Sequence, residues 1–224
     1  MKILVVADNQ RGKEFKDKTA AVADLTLEFV QPDEGLSVEF LNRFEMIFDL
    51  NFNSDESSIQ TYSQLQNRIV VLNTVTIALH QFYAMLKNSN SFFVGINALP
   101  TFINKRIAEL ALLKEADKSI VTKCFEKLNW QTEFVKDRVG LVTPRVICMI
   151  INEAFYTLQE GTANKTDINL AMRLGTNYPF GPFEWMEQIG IANVYDTLNA
   201  LYNDTLEERY KICPLLKTQY LESL

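Results

Sequence analysis

A chain of 224 residues with 47% apolar and 22% charged side chains can bury a full core, as one large domain or two small ones. Its net charge of −6 argues against a nucleic-acid surface, because phosphate binding needs clustered Lys and Arg that this chain does not show. Cys124, Cys148 and Cys213 lie far apart, with no CxxC or Cys/His pairing, the pattern of a reduced cytoplasmic protein. The opening apolar run stops at Asp8, too short for a secretion signal, and the stretch 142–155 is interrupted by Arg145, Asn152 and Glu153, so no membrane association is expected.

Residues 2–7 are a continuous β-branched run, the mark of a strand covered on both faces. Similar runs recur at 25–30, 46–50, 69–72 and 92–96, with helical patterns at 57–65 and 76–86 between the later ones. That alternation predicts an open α/β sheet. The segment 107–113 reads as a further strand or a short helix, and periodicity does not separate the two. An amphipathic helix over 118–129 and a last strand over 131–135 follow.

From Thr143 onward every long pattern is helical. The helix from Val146 is apolar on most of its circumference and is expected to be buried centrally, with Gly161 as its C-cap. Residues 165–167 offer an N-cap for a helix that Gly175 stops, and Pro182 sits where a helix bearing Phe183 and Trp185 begins. Helix continues over 198–202 and 204–210. The domain boundary falls near Arg138.

Two phrases carry a resemblance. Val135-Lys136-Asp137-Arg138-Val139-Gly140-Leu141-Val142-Thr143-Pro144-Arg145 leads into the long helix, and Leu174-Gly175-Thr176-Asn177-Tyr178-Pro179-Phe180-Gly181-Pro182-Phe183-Glu184-Trp185 follows it. Together they resemble the C-terminal domain of the 3-hydroxyacyl-CoA dehydrogenases. The resemblance implies a truncated Rossmann-like domain over residues 1–137, followed by a helical, dimerising domain over 138–224, with NAD as cofactor and an acyl-CoA of fatty acid metabolism as ligand.

It also assigns positions. The family's proton-accepting His falls on Asn97, and the Glu that orients it falls on Glu109, twelve positions on. The substrate-contacting turn falls on Asn73, Thr74 and Val75, with Pro144 where the family carries an Asn. The cofactor positions fall on Asp8, Asn9, Gln10 and Asn53, and a Lys that meets the CoA nucleotide falls near Ser58.

These positions depart from the family's chemistry. General-base work at neutral pH suits an imidazole, and an amide accepts no proton. A dinucleotide turn needs G-x-G-x-x-G so that backbone can approach the pyrophosphate at a helix N-terminus. Here the turn reads Ala7-Asp8-Asn9-Gln10-Arg11-Gly12, with one glycine and an acid. No ribose-binding acid follows the second strand, and residues 33–45 are too few for the family's third strand. The only histidine, His80, is expected to be structural or on the surface. The reading is a dehydrogenase-like homodimer impaired in NAD binding and catalysis, retaining acyl-CoA or partner binding. Its rival is an active NAD-dependent oxidoreductase with a rearranged site.

Overall fold

A computed structural model describes residues 1–32 and 34–224, and the chain divides into two compact units, Met1–Leu141 and Val142–Leu224. Among the described residues, no helix is long and apolar enough to cross a membrane.

The first unit is built on a seven-stranded sheet. Its strands are β1 (Lys2–Val6), β2 (Thr26–Val30), β3 (Met46–Asp49), β4 (Ile69–Asn73), β5 (Phe92–Ile96), β6 (Ile107–Leu112) and β7 (Gln131–Val135), in the order β2-β1-β3-β4-β5-β6-β7. The first five run parallel, β6 runs antiparallel to β5, and β7 is parallel to β6. The segment 107–113, ambiguous by periodicity, is therefore a strand.

Continuous apolar runs are required because both faces are covered. Ile3 and Val5 join Phe48, Val71, Phe125 and Trp130 on one side, packed with Phe15 from helix α1 (Asn9–Thr19). Leu4 and Val6 join Ile47, Val70 and Leu72 on the other, beneath Ile59 and Tyr62. Successive residues thus feed opposite cores, as the period of a strand dictates.

The chain leaves β2 at the sheet edge, passes helix α2 (Val38–Leu41) and returns as β3 beside β1. Among the described residues there is no further edge strand beyond β2, as there is in the doubly wound dinucleotide order. Residue 33 lies outside the described residues, and the rest of 33–45 holds only α2. Helix α3 (Glu56–Ser63) follows β3, capped by Asp55. Where a helix over 76–86 was expected, the chain makes a 3-10 turn, Leu79–Phe82, then a single turn α4 (Tyr83–Leu86). The physical reason is Asp137, whose carboxylate accepts the N–H groups of Leu79 at 2.9 Å and His80 at 2.8 Å and so starts the turn there. Helix α5 (Lys118–Lys127) completes the unit.

The second unit is a bundle of α6 (Thr143–Gln159), α7 (Lys165–Thr176), α8 (Pro182–Ile189), α9 (Ile191–Thr205) and α10 (Pro214–Glu222). Central α6 packs on α8, α9 and α10. Phe155 meets Phe183 with ring centroids 5.1 Å apart. Buried Asn152 donates to the Lys211 carbonyl at 3.0 Å and accepts from the Cys213 N–H at 2.9 Å, tying α6 to the approach of α10.

Three boundaries differ from the sequence reading. Asn164, not residues 165–167, caps α7, accepting the Asp167 N–H. Helix α7 continues through Gly175 and stops at Asn177, whose φ of 56° is left-handed, a conformation Asn tolerates. Helix α9 ends at Leu206, also left-handed, so the expected helix over 204–210 is reduced to a 3-10 turn, Glu208–Tyr210.

Candidate functional site

In an open α/β sheet, ligands bind beyond the carboxyl ends of the strands where the order reverses, here between β1 and β3. The chain after β1 is organised by Asp8. As the N-cap of α1 its side chain accepts the Arg11 N–H at 2.8 Å, filling one of the donors a helix start leaves open. Beyond β3, Asn51 answers it: the Asp8 N–H donates to Asn51 Oδ1 at 2.8 Å, and Asn51 Nδ2 donates to Asp8 Oδ2 at 2.9 Å.

The Arg11 guanidinium, largely buried, is ion-paired with Asp8 and donates from Nε to the Ala98 carbonyl at 2.8 Å. Burial pushes the Asp8 carboxyl up, but the Arg11 N–H, Asn51 and the Arg11 charge outweigh it and hold it below the ordinary aspartate value. Further along α1, Glu14 accepts the Thr101 N–H at 2.7 Å and Lys18 donates to the Lys105 carbonyl. Helix α1 is therefore stitched to the segment after β5.

These residues do not fit a dinucleotide diphosphate. The glycine turn is replaced by an ionised carboxylate sitting on the helix N-terminus where the phosphates would go. Gly12 lies within α1, where an added Cβ would meet the Phe29 ring at an ordinary 3.6 Å, so it makes no close approach to a ligand. Asn9, Gln10 and Asn53 are exposed.

The second group lies at the ends of β4 and β5. Asn73 Oδ1 accepts the Ala98 N–H and Asn97 Oδ1 accepts the Leu99 N–H, each at 3.2 Å. Asn97 is only 6% exposed. Glu109 stands on β6, and carrying the β5–β6 register one residue past Ile96 and Leu110 sets Asn97 opposite Glu109. Thr74 is buried against Gly95, where an added Cβ would come within 2.3 Å of its hydroxyl, and among the described residues that hydroxyl has no hydrogen-bond partner. Val75 is buried, and its carbonyl accepts the Gly140 N–H at 2.7 Å. Pro144 belongs to the other unit, buried in the first turn of α6.

Sequence reasoning did not reach a cavity of about 520 Å³ bordered by Val6, Asp49, Asp55, Ser58 and Tyr62. Burial pushes the Asp49 carboxyl up to about 6, against the lowering effect of the Tyr62 hydroxyl at 2.9 Å and the Asn51 N–H. Exposed Asp55 is held at about 2 by Ser57 and Ser58 as it caps α3. Ser58 is thus engaged within its own helix start, and among the described residues no Lys or Arg lines the cavity. The D-x-x-R spacing of Asp8 and Arg11 was the one local signal of this arrangement. Asn51 and Asp49 give none.

Comparisons with known proteins fall on both units. Residues 140–223 match the family described as 3-hydroxyacyl-CoA dehydrogenase, C-terminal domain. The 3-hydroxyadipyl-CoA dehydrogenase of Escherichia coli K12 is 44% identical over 87 residues, 39% of this chain and 18% of that protein. The 3-hydroxybutyryl-CoA dehydrogenase of Bradyrhizobium diazoefficiens is 35% identical over 109 residues, 49% of this chain and 36% of that protein. The chain thus matches less than two-fifths of the length of either. Among solved structures, (S)-3-hydroxybutyryl-CoA dehydrogenase from Ralstonia eutropha superposes with a TM-score of 0.80, covering 99% of this chain and 94% of that one at 19% identity, a likeness of fold.

Proposed function

We propose, from the match of residues 140–223 to the C-terminal domain of 3-hydroxyacyl-CoA dehydrogenases, a dehydrogenase-like protein that has given up nicotinamide chemistry at the switch point and keeps acyl-CoA binding. The observation that carries this reading is the Asp8 carboxylate on the N-terminus of α1, locked by Arg11 and Asn51. A diphosphate would have to displace it, against like charge and at the cost of separating it from the largely buried Arg11 guanidinium. Asn97 supports the same reading, because an amide accepts no proton.

Calorimetry tests it. Titration of the full chain with NAD or NADH is expected to give no heat of binding, while acetoacetyl-CoA binds. A dissociation constant in the low micromolar range for either nicotinamide form overturns the reading. Restoring Gly at position 8 is not expected to rescue binding, since several contacts are missing together and a charge-assisted hydrogen bond contributes only about 1.5–3 kcal/mol.

The helical unit is proposed to pair with a second copy. Leu170 and Leu174, one turn apart on α7, are 50% and 75% exposed, and Val146 on α6 is 51% exposed. Leu170 and Leu174 form a contiguous exposed apolar pair on α7, and contiguous apolar exposure normally marks an interface. Sedimentation at about 50 μM, the range in which only a weak interface dissociates, is expected to give a dimer, and a monomer there removes the proposal. The free thiols of Cys124, Cys148 and Cys213 support a cytoplasmic setting.

A further inference from the structure

His80 is not among the site positions described above. Its Nδ1 is 2.7 Å from Oδ2 of Asp137, a carboxylate whose side chain is only 5% exposed. A carboxylate accepts, so the neutral imidazole that suits this contact donates from Nδ1 to Asp137 and carries its lone pair on Nε2. Two further restraints set the ring: Asp137 also takes the His80 N–H, and the imidazole stacks parallel to Tyr83, with centroids 5.8 Å apart. The same ring borders a cavity of about 580 Å³, a size that suits a small organic ligand. Leu112, Leu113 and Phe134 give the cavity an apolar lining, and Lys136, Arg138 and Glu115 give it charge.

A carboxylate-oriented imidazole bordering a cavity is an arrangement that can serve general-base acyl chemistry. We propose that His80 and Asp137 form a second site, which hydrolyses a short-chain acyl ester or thioester. Nε2 of His80 takes a proton from water as the water oxygen bonds to the acyl carbon, and Asp137 holds the imidazolium that results. Lys136 contributes positive charge toward the oxygen that becomes anionic. Collapse of the tetrahedral species breaks the bond to the alkoxide or thiolate, which leaves with the proton returned from Nε2, so that ester and water become acid and alcohol with no other reactant. The acyl chain lies against Leu112, Leu113 and Phe134. None of this depends on the state of the switch-point crevice.

The test is release of p-nitrophenol from p-nitrophenyl butyrate by the full chain at neutral pH, compared with free imidazole at equal concentration. Saturable turnover above the imidazole rate is expected, and His80→Gln is expected to lower it by about a hundredfold or more. His80 is 58% exposed on its side chain, so this variant should fold, and its melting temperature is measured alongside. Asp137→Asn, which also disturbs the start of the 3-10 turn, is read only together with its own melting curve. A native chain that shows no saturation, or no rate beyond imidazole, overturns the proposal. So does a folded His80→Gln that keeps the native rate.

Discussion

Reduction of acetoacetyl-CoA with NADH by the native chain is expected to run about a hundred to ten thousand times slower than in ordinary 3-hydroxyacyl-CoA dehydrogenases, the range lost with a positioned general base. The cause is local and testable. Asn97 follows β5 with its carbonyl oxygen already accepting the Leu99 N–H, and its amide nitrogen can only donate. Glu109 keeps its place on β6, opposite Asn97 by strand register. Activity that appears in Asn97→His while the native chain is silent would support descent of these two positions from a catalytic pair. Native turnover comparable with that of ordinary dehydrogenases would defeat the impaired reading and require a base elsewhere. A silent Asn97→His is also expected, because the α1 N-terminus still carries its own carboxylate where NADH would place its phosphates.

The second large effect is on stability and depends on pH. Asp49 is 6% exposed, and burial raises its carboxyl from 3.8 to about 6. A folded-state pKa above the unfolded value means that the protonated form is the one the fold prefers. Its contribution is complete below about pH 3.8 and is lost as pH rises through about 6. Roughly two units of displacement correspond to about 3 kcal/mol across that window. Urea unfolding between pH 4 and 7.5 is therefore expected to show Asp49→Asn gaining on the native chain by about 2–3 kcal/mol as pH rises. Tyr62→Phe, which removes the hydroxyl bonded to Asp49, should steepen the native decline. Parallel curves for the native chain and Asp49→Asn would show that this carboxyl ionises in the fold at no cost.

The inner strands were legible in the sequence because they are buried on both faces and so read as apolar runs, as at 3–6 and 69–72, whereas the edge strands Thr26–Val30 and Gln131–Val135 are only partly buried. The stretch 76–86 misled for a related reason. Ile77, Leu79, Phe82 and Leu86 have near-helical spacing and are all buried, yet the chain enters its turn only at Leu79, where a carboxylate 58 residues distant supplies the cap. Helix α10 escaped notice because its composition is mixed and only Leu216 is buried, although Pro214 at its start was a usable signal. At the site, the loss of glycines after β1 was visible. What replaced them was not, since Asn51 meets Asp8 across 43 positions and Arg11 meets the Ala98 carbonyl across 87.

That clasp also limits redesign. Replacing Asp8 with Gly, the first step toward a glycine-rich phosphate loop, removes a helix cap and takes from the largely buried Arg11 its carboxylate partner. The loss, roughly 1–3 kcal/mol, comes out of a folding margin that is only about 5–15 kcal/mol in ordinary domains. No nucleotide contact is regained by that step alone. Arg11 and Asn51 would have to change with it, so a phosphate loop is reached from this arrangement only by coordinated substitution at three positions and not by a single one.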